Sequence, residues 1–172
     1  MILPHADRMP AADFQFRYMR EKFFSLARFY GFERMASSAI ENPAPYALAI
    51  KNGFFEERMP LVCHTASGSE VIVRPNVIVP LLRAYVSEKM NDLPHPLKFS
   101  AGGESVFLHG PSKELRNVEE EGLVMIGEEG SIAEAEIIQV IAKTAEELGI
   151  EISRCQLAVN ATGCTACRPH YR

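Results

Sequence analysis

No stretch of this chain approaches the roughly 18 consecutive apolar residues that cross a bilayer, and the opening MILPHADRMP lacks the basic-then-apolar order of an export signal. The two absences set the expectation of a cytoplasmic protein with no membrane partner. Positive charge is also scarce. Eighteen Lys and Arg against 22 Asp and Glu leave a formal charge of -4, so no global field draws nucleic-acid phosphates, and any RNA contact would have to be local. Cysteines number four (Cys63, Cys155, Cys164 and Cys167), and without an export signal they read as reduced thiols rather than a disulfide framework. Neither an internal repeat, nor a low-complexity tract, nor a Gly-rich phosphate loop of a standard type occurs.

What is present is the balance of a folded domain: 172 residues, 47% of them apolar and 23% charged, enough for one substantial core. Phe16, Met19, Phe23, Leu26 and Tyr30 recur at three- and four-residue steps, which predicts a helix over 13–30 ending at Gly31. GFERMASSAIE, at 31–41, is a short extended segment, and NPAP at 42–45 reads as a break. MPLVCHT and SEVIVRP flank Ala66-Ser67-Gly68 as the arms of a hairpin. Ile78, Leu81, Leu82, Tyr85 and Val86 predict a second helix near 76–90.

Further on, LKFSAGGESVF, 97–107, has two strand-like halves around Gly102-Gly103, and LVMIGEEG reads as a strand leaving through a turn. The polar LHGPSKELRNVEEE between them is a loop or a hairpin tip. A third helix is predicted over 131–148, opened by a capping box of Ser131 and Glu134 and closed by Gly149. A last strand, CQLAVNA, leads into TGCTACRPHYR. Short returns between strands, with helices interposed, imply an α+β fold: a mainly antiparallel sheet flanked by helices, expected on one side of it. The regular alternation of a parallel nucleotide-binding sheet is missing.

Several residue groups suggest chemistry. Cys164, Cys167 and His170, with Cys155, have zinc-like spacing, but a single C-x-x-C without a second pair is a weak signal, and no metal is expected. Cys63 and His64 resemble a nucleophile and its base, yet neighbours on a strand point to opposite faces, so both are read as structural. The run Glu119-Glu120-Glu121 is read as a solvated face or hairpin edge rather than a cation site. For Arg74, Arg83 and Arg116 two readings stand: a pocket-lining guanidinium, or an arginine whose stem covers the sheet.

The order of these elements, with the strings GFERMASSAIE, SGSEVIVRP, LLRAYV, EEGSIAEAEIIQV and VNATGCTACRPHYR, resembles the catalytic core of histidyl-tRNA synthetase, a class II aminoacyl-tRNA synthetase. The resemblance covers nearly all of the chain and about the first half of a family core. It implies a single, truncated class II core domain over 1–172, ATP and Mg2+ as cofactors, tRNA as a partner, and a homodimer or a partner chain, with 31–41 at or near a twofold interface.

The same resemblance shows where the pattern departs. Amino-acid activation needs a guanidinium on the ATP phosphate, supplied in the family by Phe-Arg-x-Glu; VFLHGP has Leu108 at the arginine's place. Of the family's Gly-Arg-x-Arg pair, Glu114 takes the first position and Arg116, the remaining catalytic candidate, the second. After Arg74-Pro75 the family has Glu-Gly-Thr for the substrate ammonium, and here stand Asn76, Val77 and Ile78. A substrate-reading glutamine falls on Glu120, and the first motif's proline on Ser38. Arg74, Asn76 and Glu120 are thus the candidate substrate-binding positions of a degenerate pocket. The expectation is a histidine-tRNA ligase-like core, inactive on its own, that serves as a binding or regulatory paralogue. The alternative is the regulatory subunit of ATP phosphoribosyltransferase in histidine biosynthesis, which acts by complex formation.

Overall fold

A computed structural model of the chain describes residues 7–51, 55, 58–128 and 130–157. Helix α1 (Pro10–Phe29) starts three residues before the periodic stripe predicts, because Pro10 at its first turn has no N–H to leave unpaired and its ring fixes a helical φ. It ends at Tyr30, and Gly31 supplies the left-handed conformation (φ 83°) that turns the chain into Phe32. The segment that follows contributes two short strands, β1 (Glu33–Arg34) and β2 (Ile40–Glu41).

NPAP does not break the chain as expected; it starts helix α2 (Pro43–Lys51). The Asn42 side chain accepts a hydrogen bond from the Ala44 N–H at 2.9 Å, and the prolines occupy first-turn positions where no intrahelical donor is required. Strands β3 (Arg58–His64) and β4 (Glu70–Val73) form the expected hairpin, its turn closed by Thr65 and Ser69. Helix α3 (Ile78–Ser87) is shorter than 76–90, since Lys89 adopts a left-handed φ of 52°.

The two strand-like halves around Gly102-Gly103 are one strand, β5 (Leu97–His109), and the polar segment after it is a turn followed by most of β6 (Glu114–Ile126). These two strands pair residue for residue from Leu97↔Ile126 to His109↔Glu114. The glycines keep the strand continuous: a Cβ on Gly102 would come within 2.9 Å of the Phe24 ring, and one on Gly103 within 2.5 Å of the Arg74 guanidinium. β1 pairs with β5 in parallel, and every other pairing is antiparallel, with the path β1-β5-β3-β4-β2 and β6 on the far edge of β5.

Helix α4 (Ser131–Glu147) lies against α1. The capping box is absent: Gly130 is the N-cap and Ser131 is already the first helical residue, so its hydroxyl cannot reach back to an N–H one turn on. Gly149 closes the helix in the left-handed region, as predicted. The predicted last strand begins at Cys155, where residues 155–157 have no strand partner; its remainder lies outside the described residues.

Helices cover both faces of the β5–β6 hairpin, not one. Val124 packs with Phe99 and Ala101 against Val77, which precedes α3, and Leu81 within it, with Ile126 and Leu97 beside them. Its neighbours Leu123 and Met125 point the other way, to Ala27 and Phe32 near α1 and to Ile137 and Val140 of α4. A continuous apolar run in a strand is the mark of burial on both faces, and LVMI at 123–126 is such a run. A third cluster, Tyr46, Phe55 and Ile72, fixes α2 to β4.

Candidate functional site

Alternation along the hairpin decides which candidates share a surface. Gly103 pairs with Glu120 and Phe107 with Arg116, so Arg116, Glu120 and Gly122 line one face of β6, the face covered by α3. Arg74 and Ile78 reach the same face, against Gly103 and Gly122. The structure therefore brings Arg74, Asn76, Ile78, Glu120 and Arg116 to one side of one hairpin. Leu108 pairs with Leu115, and by the same alternation lies on the opposite face.

Each of these side chains has a structural partner. Arg74 is 6% exposed at the end of β4. Its Nε and Nη2 donate to the Glu104 carbonyl at 3.2 and 2.7 Å, and Nη1 donates to the Ser37 carbonyl and hydroxyl at 3.3 and 2.9 Å. The backbone of the same residue bonds Ala39 and Val106, so Arg74 ties the segment before β2 to the middle of β5. The Asn76 side-chain oxygen accepts from the N–H groups of Ile78 and Val79 at 3.1 and 2.9 Å, satisfying two of the donors that open α3. Ile78 fills the space above Gly122: a Cβ there would lie 2.6 Å from its Cδ1.

Glu120 is gripped by Arg58 and accepts the Ser105 hydroxyl at 2.8 Å, while Arg58 also stacks on Phe107. Its neighbours point to the α1 face. There Glu119 is bound by Arg8 at 3.0 Å and by Arg20, and Glu121 by Arg20 at 3.1 Å. The acidic run is thus no solvated edge. Glu119 is only 7% exposed, because arginines from the N-terminal segment fold across the strand and desolvate it in pairs. Periodicity within the run could not reveal this, since the partners come from about a hundred residues away. Arg116 is half-exposed and paired with Glu114 at 2.8 Å. Glu114, one of the departures from the family's Gly-Arg-x-Arg, thus neutralises Arg116.

Arg83, one of the two-way readings, forms a bidentate pair with Glu41: Nε to Oε2 at 2.6 Å and Nη2 to Oε1 at 3.2 Å. The Glu41 hydrogen bonds, set against partial burial, raise the Arg83 pKa. Beside them the Tyr46 hydroxyl is buried without a hydrogen-bond partner among the described residues, and burial, reinforced by the Glu41 charge, raises its pKa. Sequence reasoning missed Tyr46 and Glu41 as a polar cluster. The signal available was the Glu that ends GFERMASSAIE, which had no visible partner in sequence.

Cys63 is half-buried and pairs across to Val71, while exposed His64 meets Glu70 at 3.6 Å. Cys155 is exposed, and Cys164, Cys167 and His170 lie outside the described residues. Among the described residues no three of His, Cys, Asp and Glu are grouped to hold a metal ion. The arrangement does not fit Mg·ATP: the three adjacent carboxylates are occupied by arginines, and among the described residues no unpaired guanidinium stands on the face of Arg116 and Glu120.

No family model matches the chain. A histidine–tRNA ligase of Thermodesulfovibrio yellowstonii is 27% identical over 145 residues, covering 83% of this chain and 34% of the relative. One from Dehalococcoides mccartyi strain BAV1 is 25% identical over 176 residues, 96% of this chain and 40% of the relative. Among solved structures, a Bacillus halodurans protein described as an ATP phosphoribosyltransferase regulatory subunit/histidyl-tRNA synthetase superposes with a TM-score of 0.72 at 16% identity, over 88% of this chain and 38% of its own. Apo S. aureus histidyl-tRNA synthetase gives 0.68 at 17% identity, over 86% and 34%. The fold is that of a class II aminoacyl-tRNA synthetase core. This synthetase-like core spans between a third and two-fifths of the length of the relatives it matches. Over nearly all of its own length it resembles histidine–tRNA ligases. No helix among the described residues is long and apolar enough to cross a membrane.

Proposed function

We propose that this synthetase-like core is a binding or regulatory paralogue of histidine–tRNA ligase that does not activate histidine by itself. The observation that supports the reading is that the positions the resemblance assigns to the amino-acid pocket make structural contacts: Ile78 packs over Gly122, Asn76 caps α3 and Glu120 is held by Arg58 and Ser105. A substrate ammonium placed there would lose its hydration without a free carboxylate to replace it. ATP and Mg2+, which the family uses, would meet Glu114 and an arginine already neutralised. The protein works in the cytoplasm as a homodimer through 31–41 or with a partner chain, and tRNA contact is local in a chain of net charge -4.

Histidine-dependent pyrophosphate exchange at background, with no histidine heat at millimolar concentration, is the expected result. Exchange above background that Arg116→Ala abolishes would overturn the proposal.

A second reading is favoured by one specific finding, the Bacillus halodurans neighbour and its description as an ATP phosphoribosyltransferase regulatory subunit. In that reading the chain acts by binding the transferase's catalytic chain. Co-expression with that chain and co-elution as one complex would support it, and separate elution would reject it.

A further inference from the structure

Apolar runs occur in β3 and β4 as they do in β6: PLVC at 60–63 and VIV at 71–73. Runs of this kind mark strands covered on both faces. One cover is present: Ile72 packs with Tyr46 and Phe55, which places α2 on one side of the hairpin.

Register fixes what stands on the other side. Leu61 pairs with Val73, Cys63 with Val71, and Ile40 of β2 with Val73, so these five side chains share the face turned away from Ile72. Along β3 the face continues through Met59, which pairs with Leu108 of β5. The charged or titratable Glu41, Arg58, His64 and Glu70 of the three strands all alternate to the α2 side. Ile40 is 52% exposed and Met59 39%, while Leu61, Cys63, Val71 and Val73 are half-buried. None of the six joins a hydrophobic core cluster among the described residues.

Size and charge select the occupant. A patch of six such side chains is on the order of a few hundred Å2, and each partner of a stable complex buries about 800 Å2. Ile40 belongs to both the patch and the segment 31–41, so a twofold contact through that segment adjoins the patch and supplies the remaining area. A second copy also presents the same uncharged surface, which lets two chains of net charge -4 meet without like charges in contact. We propose that a second copy of the chain seats on this face, making the side of β2, β3 and β4 opposite α2 the apolar centre of the dimer, with 31–41 at its margin. That assignment rests on the homodimer of the proposed function and names the surface that drives it.

The test uses the full chain. Sedimentation velocity from about 0.1 to about 50 μM gives the oligomeric state, because a dimer forms by mass action. At each concentration iodoacetamide labelling, read by mass spectrometry, reports access to Cys63, with the exposed Cys155 as internal control. Labelling of Cys63 should slow at least about fivefold as the dimer forms, while Cys155 keeps its rate. Val71→Glu, which places a charge at the centre of the contact, should weaken dimerisation at least about tenfold. Ile132→Glu, on α4 and 71% exposed, should leave it unchanged. Where Val71→Glu does not fold, the Cys63 rate in the unsubstituted chain decides alone. A dimer in which Cys63 reacts as fast as in the monomer, or one indifferent to a folded Val71→Glu, overturns the proposal and leaves the homodimer through 31–41 standing. A chain that stays monomeric overturns both, and slow Cys63 labelling in that monomer assigns the face to a segment of the same chain.

Discussion

Replacing Arg74 with Met separates a structural arginine from a ligand-binding one. The side chain is buried at 6% exposure and its donors serve the carbonyls of Glu104 and Ser37 and the Ser37 hydroxyl. Methionine fills similar volume but leaves two carbonyls without that donor, at about 1–3 kcal/mol for each buried acceptor left unpaired. Set against this is the relief of burying a cation whose acceptors here are all neutral oxygens, so the net loss is about 2–4 kcal/mol. That is a large part of the roughly 5–15 kcal/mol by which a domain is stable. In urea, with a slope of about 2 kcal/mol per molar, the midpoint should fall by about 1–2 M. Arg74→Lys should lose roughly half as much, because one ammonium cannot span both Ser37 and Glu104. A Met variant within about 0.5 kcal/mol of the unsubstituted chain, or more stable than it, would refute the clamp and return Arg74 to the pocket-lining reading, since functional groups are commonly held at a cost to stability.

Gly122→Ala should destabilise by about 1–2 kcal/mol, because the new methyl meets Ile78 Cδ1 at 2.6 Å and Val77 Cγ2 at 3.2 Å. Ile78→Val removes the first of these atoms, so a double-mutant cycle in urea should show favourable coupling of about 0.5–1 kcal/mol; strict additivity would mean that Ile78 does not fill that space. Tyr46→Phe should raise stability near neutral pH by about 1 kcal/mol, since the hydroxyl it removes is buried and has no hydrogen-bond partner among the described residues. Tyr46 has its folded pKa raised above the unfolded value of 10.0, by burial first and by the Glu41 charge second. Its contribution is complete below that unfolded value and is lost as pH rises above it, because only the unfolded chain releases the proton there. Denaturant midpoints measured between about pH 8 and about pH 11 should therefore fall more steeply for the unsubstituted chain than for Tyr46→Phe; equal slopes would show that the hydroxyl is solvated.

Local pattern alone determined a good deal here. The α1 and α3 stripes, the β3–β4 hairpin and the left-handed glycines at 31 and 149 follow from side-chain spacing and from glycine's freedom at φ above zero. The α+β class and the likeness to histidine–tRNA ligases were legible in the same strings. Single-residue signals misled where two readings share one composition. Proline punctuates a chain and also starts helices, which made NPAP a break on paper and α2 in space. Polar residues in a strand look like a loop until their partners are known, which hid the full length of β6. Only the tertiary structure decided what the charges do. Glu119, Glu120 and Glu121 carry one charge sign in one run, yet alternation sends them to two faces, where Arg8, Arg20 and Arg58 meet them. The worth of a charge depends on its partner's distance and on burial, and both are fixed by contacts between residues far apart in the chain. For the same reason Arg74 became a clamp and Arg83 the partner of Glu41.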